Sequence, residues 1–323
     1  MDARLRRLLK QTSRSFYLSI RVLPAAIRPQ IGLAYLLART TDAVADARGI
    51  AVEQKRETIR CMMAAISSAA EGEAVSPPDL SSVARQLDPA ENLLMSSFAR
   101  SQGSLARLEE GDRHRIGEVL TTITSGQELD LDRFGNAGED RIAALETDAE
   151  LDDYTYRVAG CVGEFWTRMC RAHLFPKSEL DDAGLLINGV RFGKGLQLVN
   201  ILRDLPRDLR QGRCYIPRAR LEQNALMPRD LLDTTASDRF RPLYRTYLDL
   251  ADGHLEAGWA YIAALPRRQA RVRLACVWPL LIGSRTLELL RAGYVLAGGP
   301  PVKVSRSEVR RLMLSSLRYL WKE

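Results

Sequence analysis

An all-α protein is what this sequence predicts, and three observations carry the prediction. Long stretches place apolar residues at helical spacing, few stretches alternate, and valine and isoleucine never gather into runs flanked by hairpin turns. With 323 residues, 46% of them hydrophobic, the chain can bury a sizeable core. No internal repeat and no shift of composition marks a boundary, so a single helical domain over 1–323 is expected.

Taken in order, the elements follow from periodicity and from the turn signals between them. A Leu23-Pro24 turn precedes a helix over 30–48, and a second helix is expected over 52–70. The polar stretch 67–89, with Pro77-Pro78, separates these from helices over 91–109 and 112–134. A turn at 135–139 leads to a helix over 151–173, and Phe175-Pro176 to one over 181–205. The stretch 211–217 is read as a loop before helices over 240–264 and 270–296. The turn at 298–301 precedes a last helix over 305–320.

Charge and cysteine usage exclude several classes. The formal net charge is +7 and the pI about 9.3, with only six lysines among 47 basic residues. Between Asp2 and Asp42 there is no acid, while Arg4, Arg6, Arg7, Lys10, Arg14, Arg21, Arg28 and Arg39 all fall there. Such a segment favours phosphate ligands or an anionic membrane surface. No nucleic acid is expected as partner, since zinc-finger spacing, an aromatic ribonucleoprotein motif and a helix-turn-helix are all lacking. Five scattered cysteines argue against a disulfide framework and fit a cytoplasmic setting. No apolar run is long enough for a transmembrane segment, and no signal peptide is expected.

The most informative feature is a pair of aspartates that occurs twice. Asp42 and Asp46, and again Asp204 and Asp208, are spaced i, i+4, which puts both carboxylates on one helix face a turn apart. Like charges so placed repel, and arginines stand close by, so a cation is expected to balance them. Tyr35 and Arg39 lie in register with the first pair, and Gln197 and Asn200 with the second. Solvated helix faces would also carry such acids, but two stripes with Tyr, Gln and Asn in register favour a shared task. Facing one another across a cavity, they would hold Mg²⁺, a hard cation that binds through few carboxylates and substrate phosphates. Pro206 should loosen the second helix and leave Asp208 on an irregular turn, which makes Asp204 the firmer ligand.

Four segments together resemble the squalene/phytoene synthase family: SRSFYLSI at 13–20, AYLLARTTDAVAD at 34–46, YTYRVAGCVGEFW at 154–166 and QLVNILRDLPRDLRQGRCYIP at 197–217. The resemblance implies an all-helical class I isoprenoid synthase fold with a central cavity, and head-to-head condensation of two prenyl diphosphates. It implies that Asp42, Asp46, Asp204 and Asp208 bind the metal. Ser13, Arg14, Ser15 and Phe16 would belong to a substrate-binding flap. Tyr35, Arg39, Gln197, Asn200, Arg203 and Arg213 would contact diphosphate or metal-bound water, and Tyr154 would be the catalytic tyrosine. Two departures stand out: Ala45 replaces an acid the family usually carries there, and Pro206 is uncommon.

Towards the C-terminus, LACVWPLLIGSRTL at 274–287, with its Cys276-to-Pro279 step, resembles a squalene synthase helix. PVKVSRSEV at 301–309 resembles the basic segment that follows it, so Lys303 and Arg306 would contact the phosphates of NADPH. An ordinary basic loop with Ser305 capping the last helix would look the same. The expectation is therefore farnesyl diphosphate as substrate, Mg²⁺ and NADPH as cofactors, and squalene as product by way of presqualene diphosphate. The alternative is a presqualene diphosphate, dehydrosqualene or phytoene synthase without the reductive step. Peripheral contact with the inner membrane surface is expected, because the product is a lipid.

Overall fold

In the computed structural model the described residues are 3–13, 16–47, 49–73, 76–233, 237–293, 295–296 and 301–316. They divide into two compact units, one of residues 1–131 and 165–178, the other of 132–164 and 179–323.

In the first unit, α1 (Ala3–Thr12) and α2 (Phe16–Val22) come before α3 (Arg28–Asp46). Both precede the first helix expected from the sequence. They are short, and the basic residues of α1 obscure a stripe made by buried Leu5, Leu8 and Leu9. The α3 helix opens with a proline in its first turn, where the missing N–H costs nothing. It packs against α4 (Val52–Glu71) and α7 (Phe98–Leu105), burying Leu33, Leu36, Leu37, Ile59, Met62, Ile66 and Phe98 almost completely. Gly72, at φ 85°, ends α4 in the left-handed conformation glycine tolerates. The polar stretch that follows is not wholly loop, since α5 (Ser81–Ala84) forms within it. The helix expected over 91–109 is two, α6 (Pro89–Ser96) and α7, parted at Ser97; Asp88 caps α6 by accepting from the amides of Ala90 and Glu91. Then α8 (Glu110–Phe134) runs close to its expected bounds.

In the second unit, α9 (Asp148–Thr155) is capped by Thr147 and passes through one π-helical turn (Tyr156–Gly160). The chain continues as α10 (Cys161–His173), whose residues from Phe165 on are counted with the first unit. The helix expected over 151–173 is therefore three pieces. Its wide turn lies against α11 (Asp182–Arg210) at a crossing with almost no side-chain spacer. A Cβ on Gly163 would sit 1.9 Å from the Gly189 carbonyl oxygen, and one on Gly193 would sit 2.2 Å from that of Ala159.

The α11 helix does not loosen at Pro206. It runs on to Arg210 and keeps Asp208 in a helical turn, contrary to expectation. Proline deprives the carbonyl four residues earlier of its usual donor. That carbonyl belongs to Leu202, and the buried Tyr244 hydroxyl donates to it at 3.0 Å. A side chain from α13 (Ser237–Ala264) thus supplies the bond the backbone cannot. The apolar faces of α11, α13 and α14 (Ala270–Ala292) pack together around Leu202, Leu205, Leu209, Leu248, Leu255, Leu280 and Leu287.

The stretch 211–217 holds β2 (Arg213–Cys214), paired in parallel with β1 (Ala143–Ala144) through Ala143 opposite Arg213. Beyond it are α12 (Arg218–Gln223), a 3-10 turn at Pro228–Leu232 and α15 (Arg306–Ser315). Among the described residues no helix is long and apolar enough to cross a membrane.

Candidate active site

The first stripe lies along α3. Tyr35 donates its hydroxyl to the Thr12 carbonyl at 3.3 Å, and its ring lies 5.3 Å from that of Phe16. Thr12 and Phe16 are thus both in contact with α3. Buried Ser13 donates its hydroxyl to the Leu9 carbonyl. Arg14 and Ser15 lie outside the described residues. One turn on from Tyr35, the Arg39 guanidinium meets Asp42 at 2.7 Å.

Its other arm lies 3.6 Å from Glu91 of α6. Glu91 is an acid the sequence reading missed, because nothing local announces that the start of α6 packs on α3. Where Ala45 leaves a carboxylate out, Glu91 brings one into the neighbourhood. Crowding by surrounding atoms, then the charge of Asp46, push Asp42 up to about 6; Arg39 opposes the rise, and Glu91 adds least to it. Burial likewise raises Glu91, helped by Asp88 and Asp46 and opposed by Arg39.

The second stripe lies along α11, with Gln197 half-buried and Asn200 exposed. Arg203 grips both oxygens of neighbouring Asp204 as a fork, at 2.8 and 2.7 Å. Arg207 reaches Asp208 at 3.1 Å and Asp204 at 3.5 Å. The two acids therefore differ. Burial pushes Asp204 up, but the Arg203 hydrogen bonds and the charges of Arg203, Arg207 and Lys303 outweigh it and hold the group below its ordinary range. Asp208 is more deeply placed, and burial wins there: its pKa rises to about 6, with Asp204 adding to the rise while Arg207 and Arg213 oppose it.

Lys303 is exposed, yet its charge is felt at Asp204, which sets it near the second pair. Arg306 is exposed at the start of α15, where Ser305 caps the helix by accepting from the Glu308 amide at 3.2 Å. Ser305 thus caps α15, and Lys303 has an acidic neighbour.

Tyr154 sits at the end of α9, 6% exposed, with its hydroxyl donating to that of Tyr215 at 3.3 Å. The rings stack at 4.8 Å, and Phe134 meets Tyr215 edge-on at 5.2 Å. Tyr215 lies within a motif the sequence singled out, but its pairing with Tyr154 spans 61 residues and has no local signal.

The donor chemistry fits a hard cation, since each helix offers carboxylate oxygens without nitrogen or sulfur. Among the described residues no group of three or more His, Cys, Asp or Glu could hold a metal by itself. Diphosphate and water oxygens would have to complete a shell, which is the customary way Mg²⁺ is bound.

Comparison with known proteins adds a lineage to this geometry. The profile described as Squalene/phytoene synthase matches residues 9–308. The chain belongs to that family. A bifunctional lycopene cyclase/phytoene synthase of Arthroderma gypseum is 29% identical over 246 residues, 76% of this chain and 39% of the relative. The chain thus spans well under half of that two-function protein. The presqualene diphosphate synthase of Zymomonas mobilis is 26% identical over 245 residues, 76% of this chain and 70% of its own. Among solved structures, TcSQS in complex with E5700 superposes with a TM-score of 0.79 at 21% identity, covering 99% of this chain and 90% of that one. This last likeness establishes that the all-helical fold is that of the squalene/phytoene synthase family.

Proposed function

We propose that the chain acts as a single catalytic domain that condenses two farnesyl diphosphates head to head, through presqualene diphosphate, to squalene, with Mg²⁺ and NADPH. The observation that carries this reading is the doubled stripe: two aspartates and their arginines along one helix, repeated on a second, in a chain of this family. Bound Mg²⁺ would act as a Lewis acid on diphosphate oxygens. Asp42, Asp46, Asp204 and Asp208 would hold it. Asp42 and Asp208, both raised above the ordinary carboxylate range, have most to gain from a nearby cation. Arg39, Arg203 and Arg213, with Tyr35, Gln197 and Asn200, would turn to the diphosphate or its metal-bound water. Guanidinium forks suit that task.

The allylic cation left behind must be shielded from water and then lose a proton as the cyclopropane closes. Tyr154, buried on the aromatic stack, would relay that proton, with the departed diphosphate as the final base. Phe16 and the flap around it, including Ser13, Arg14 and Ser15, would cover the substrate. Lys303 and Arg306 would pair with the phosphates of NADPH during the second, reductive half.

A second reading ends before reduction, at presqualene diphosphate, or leads to dehydrosqualene or phytoene. The names of the curated relatives favour it. One assay separates the two: purified protein with farnesyl diphosphate and Mg²⁺, with and without NADPH, and identification of the lipids. Squalene formed only with NADPH supports the first reading, while an unchanged product supports the second. In either case Asp42→Ala and Asp204→Ala should each lower turnover by at least about a hundredfold, the scale of losing one electrostatic stabiliser. Wild-type turnover in both would end the metal-site reading.

A further inference from the structure

We propose that Lys55 is a positioning residue for the first acidic pair: its ammonium holds the peptide plane from which Asp46 hangs. The inference rests on the metal-binding role given above to Asp46. Asp46 is the last residue of α3, and Ala47 after it already has non-helical backbone. Helix ends fray, and their final carbonyls have no partner within the helix. The spacing that puts Asp42 and Asp46 on one face survives only if this last turn keeps its shape.

Lys55 supplies what the turn lacks. It reaches across from α4, and its ammonium donates to the Ala45 carbonyl at 3.0 Å. That carbonyl, the Asp46 amide and the Asp46 Cα lie in one planar peptide unit. Holding the oxygen therefore fixes the Asp46 Cα, and with it where the carboxylate can reach. The last turn of α3 carries no basic residue of its own, so the cation at this helix end comes from another element.

Neither packing nor α4 itself explains this lysine. Lys55 is 9% exposed, which is rare for its type, and methionine would fill the same space without desolvating an ammonium. It stands in the opening turn of α4, where positive charge opposes the helix dipole. At the closing turn of α3 the same charge is favourable. The side chain is thus placed against the interest of its own helix and in favour of the one that bears the aspartates. An ammonium has three protons to donate, so the bond to Ala45 leaves it able to serve other acceptors at the same time.

The test uses the full chain with the unreactive thiolo-diphosphate analogue of farnesyl diphosphate, and follows Mn²⁺ binding by the paramagnetic resonance of the free ion. Lys55→Met keeps the bulk and removes the donor. It should weaken Mn²⁺ binding by about tenfold to a hundredfold, the usual effect of losing a group that orients a metal ligand. The Mg²⁺ concentration for half-maximal turnover should rise by the same factor, with kcat at saturating Mg²⁺ within about twofold of wild type. In an Asp46→Ala background, Lys55→Met should weaken binding little further, since the ligand being positioned is already gone. Unchanged Mn²⁺ binding in Lys55→Met, a full second loss on top of Asp46→Ala, or failure of Lys55→Met to fold would each overturn the inference while leaving the role of Asp46 standing. Tighter binding would overturn it too, by showing that the ammonium repels the ion. Wild-type Mn²⁺ affinity in Asp46→Ala would remove the role of Asp46 and the inference together.

Discussion

A single carboxylate, Asp208, shows how the candidate site trades stability for charge. Its side chain is 11% exposed, and burial raises its pKa from 3.8 to about 6. A group whose native pKa lies above its unfolded value favours folding when protonated. That contribution is present in full below pH 3.8 and is lost as pH rises through about 6. A change of this size corresponds to a ceiling of roughly 3 kcal/mol. The metal-free Asp208→Asn variant should therefore match wild type near pH 4 and melt higher at pH 7, with the gap opening between these values. Thermal melts across that range check it; a gap of constant size would mean the burial penalty is not the cause. Asp42 has the same sign, but 46% of its side chain reaches solvent, so its share is smaller. At this scale the sequence revealed the four aspartates because helical spacing is local information. Glu91 and Tyr215 escaped it because their relations to Arg39 and Tyr154 are made by packing.

Whole elements were legible where an apolar stripe ran long. The helices over 112–134 and 240–264 fall within three residues of the observed α8 and α13. The α1 and α2 helices were missed for want of length, and the three-part helix around residue 156 because a π turn leaves no sign in a 3-4 pattern. What does betray that region is its glycines. At Gly163 a Cβ would collide with the backbone of α11, and backbone cannot step aside as a side chain can. Gly163→Ala should cost about 3 kcal/mol or more, the upper end of overpacking. Gly253, inside α13, has open space at its Cβ position. Gly253→Ala should stabilise by about 0.5–1 kcal/mol, since only unfolded-chain entropy changes. Denaturant melts of both variants check the pair, and equal effects would show that the close crossing is not what matters at Gly163.

For the molecule as a whole, the net charge of +7 and its N-terminal concentration suggest contact with anionic membranes. The structure narrows how. In α1 the leucines are buried and Arg4, Arg6, Arg7 and Lys10 face outward, so this helix has no apolar face left to insert. Binding through it would be electrostatic. Sedimentation with vesicles containing anionic lipid should show association at low salt that falls steeply towards about 0.5 M, where the Debye length is only a few ångströms. Retention at high salt would point to insertion elsewhere.

The Tyr244 hydroxyl that serves the Leu202 carbonyl comes from 42 residues further along the chain. The turn from Leu202 to Pro206, which bears Asp204, is therefore not self-sufficient. A segment far along the chain thus completes its backbone, so a substitution at Tyr244, remote in sequence from both acidic motifs, reaches the second of them through the main chain.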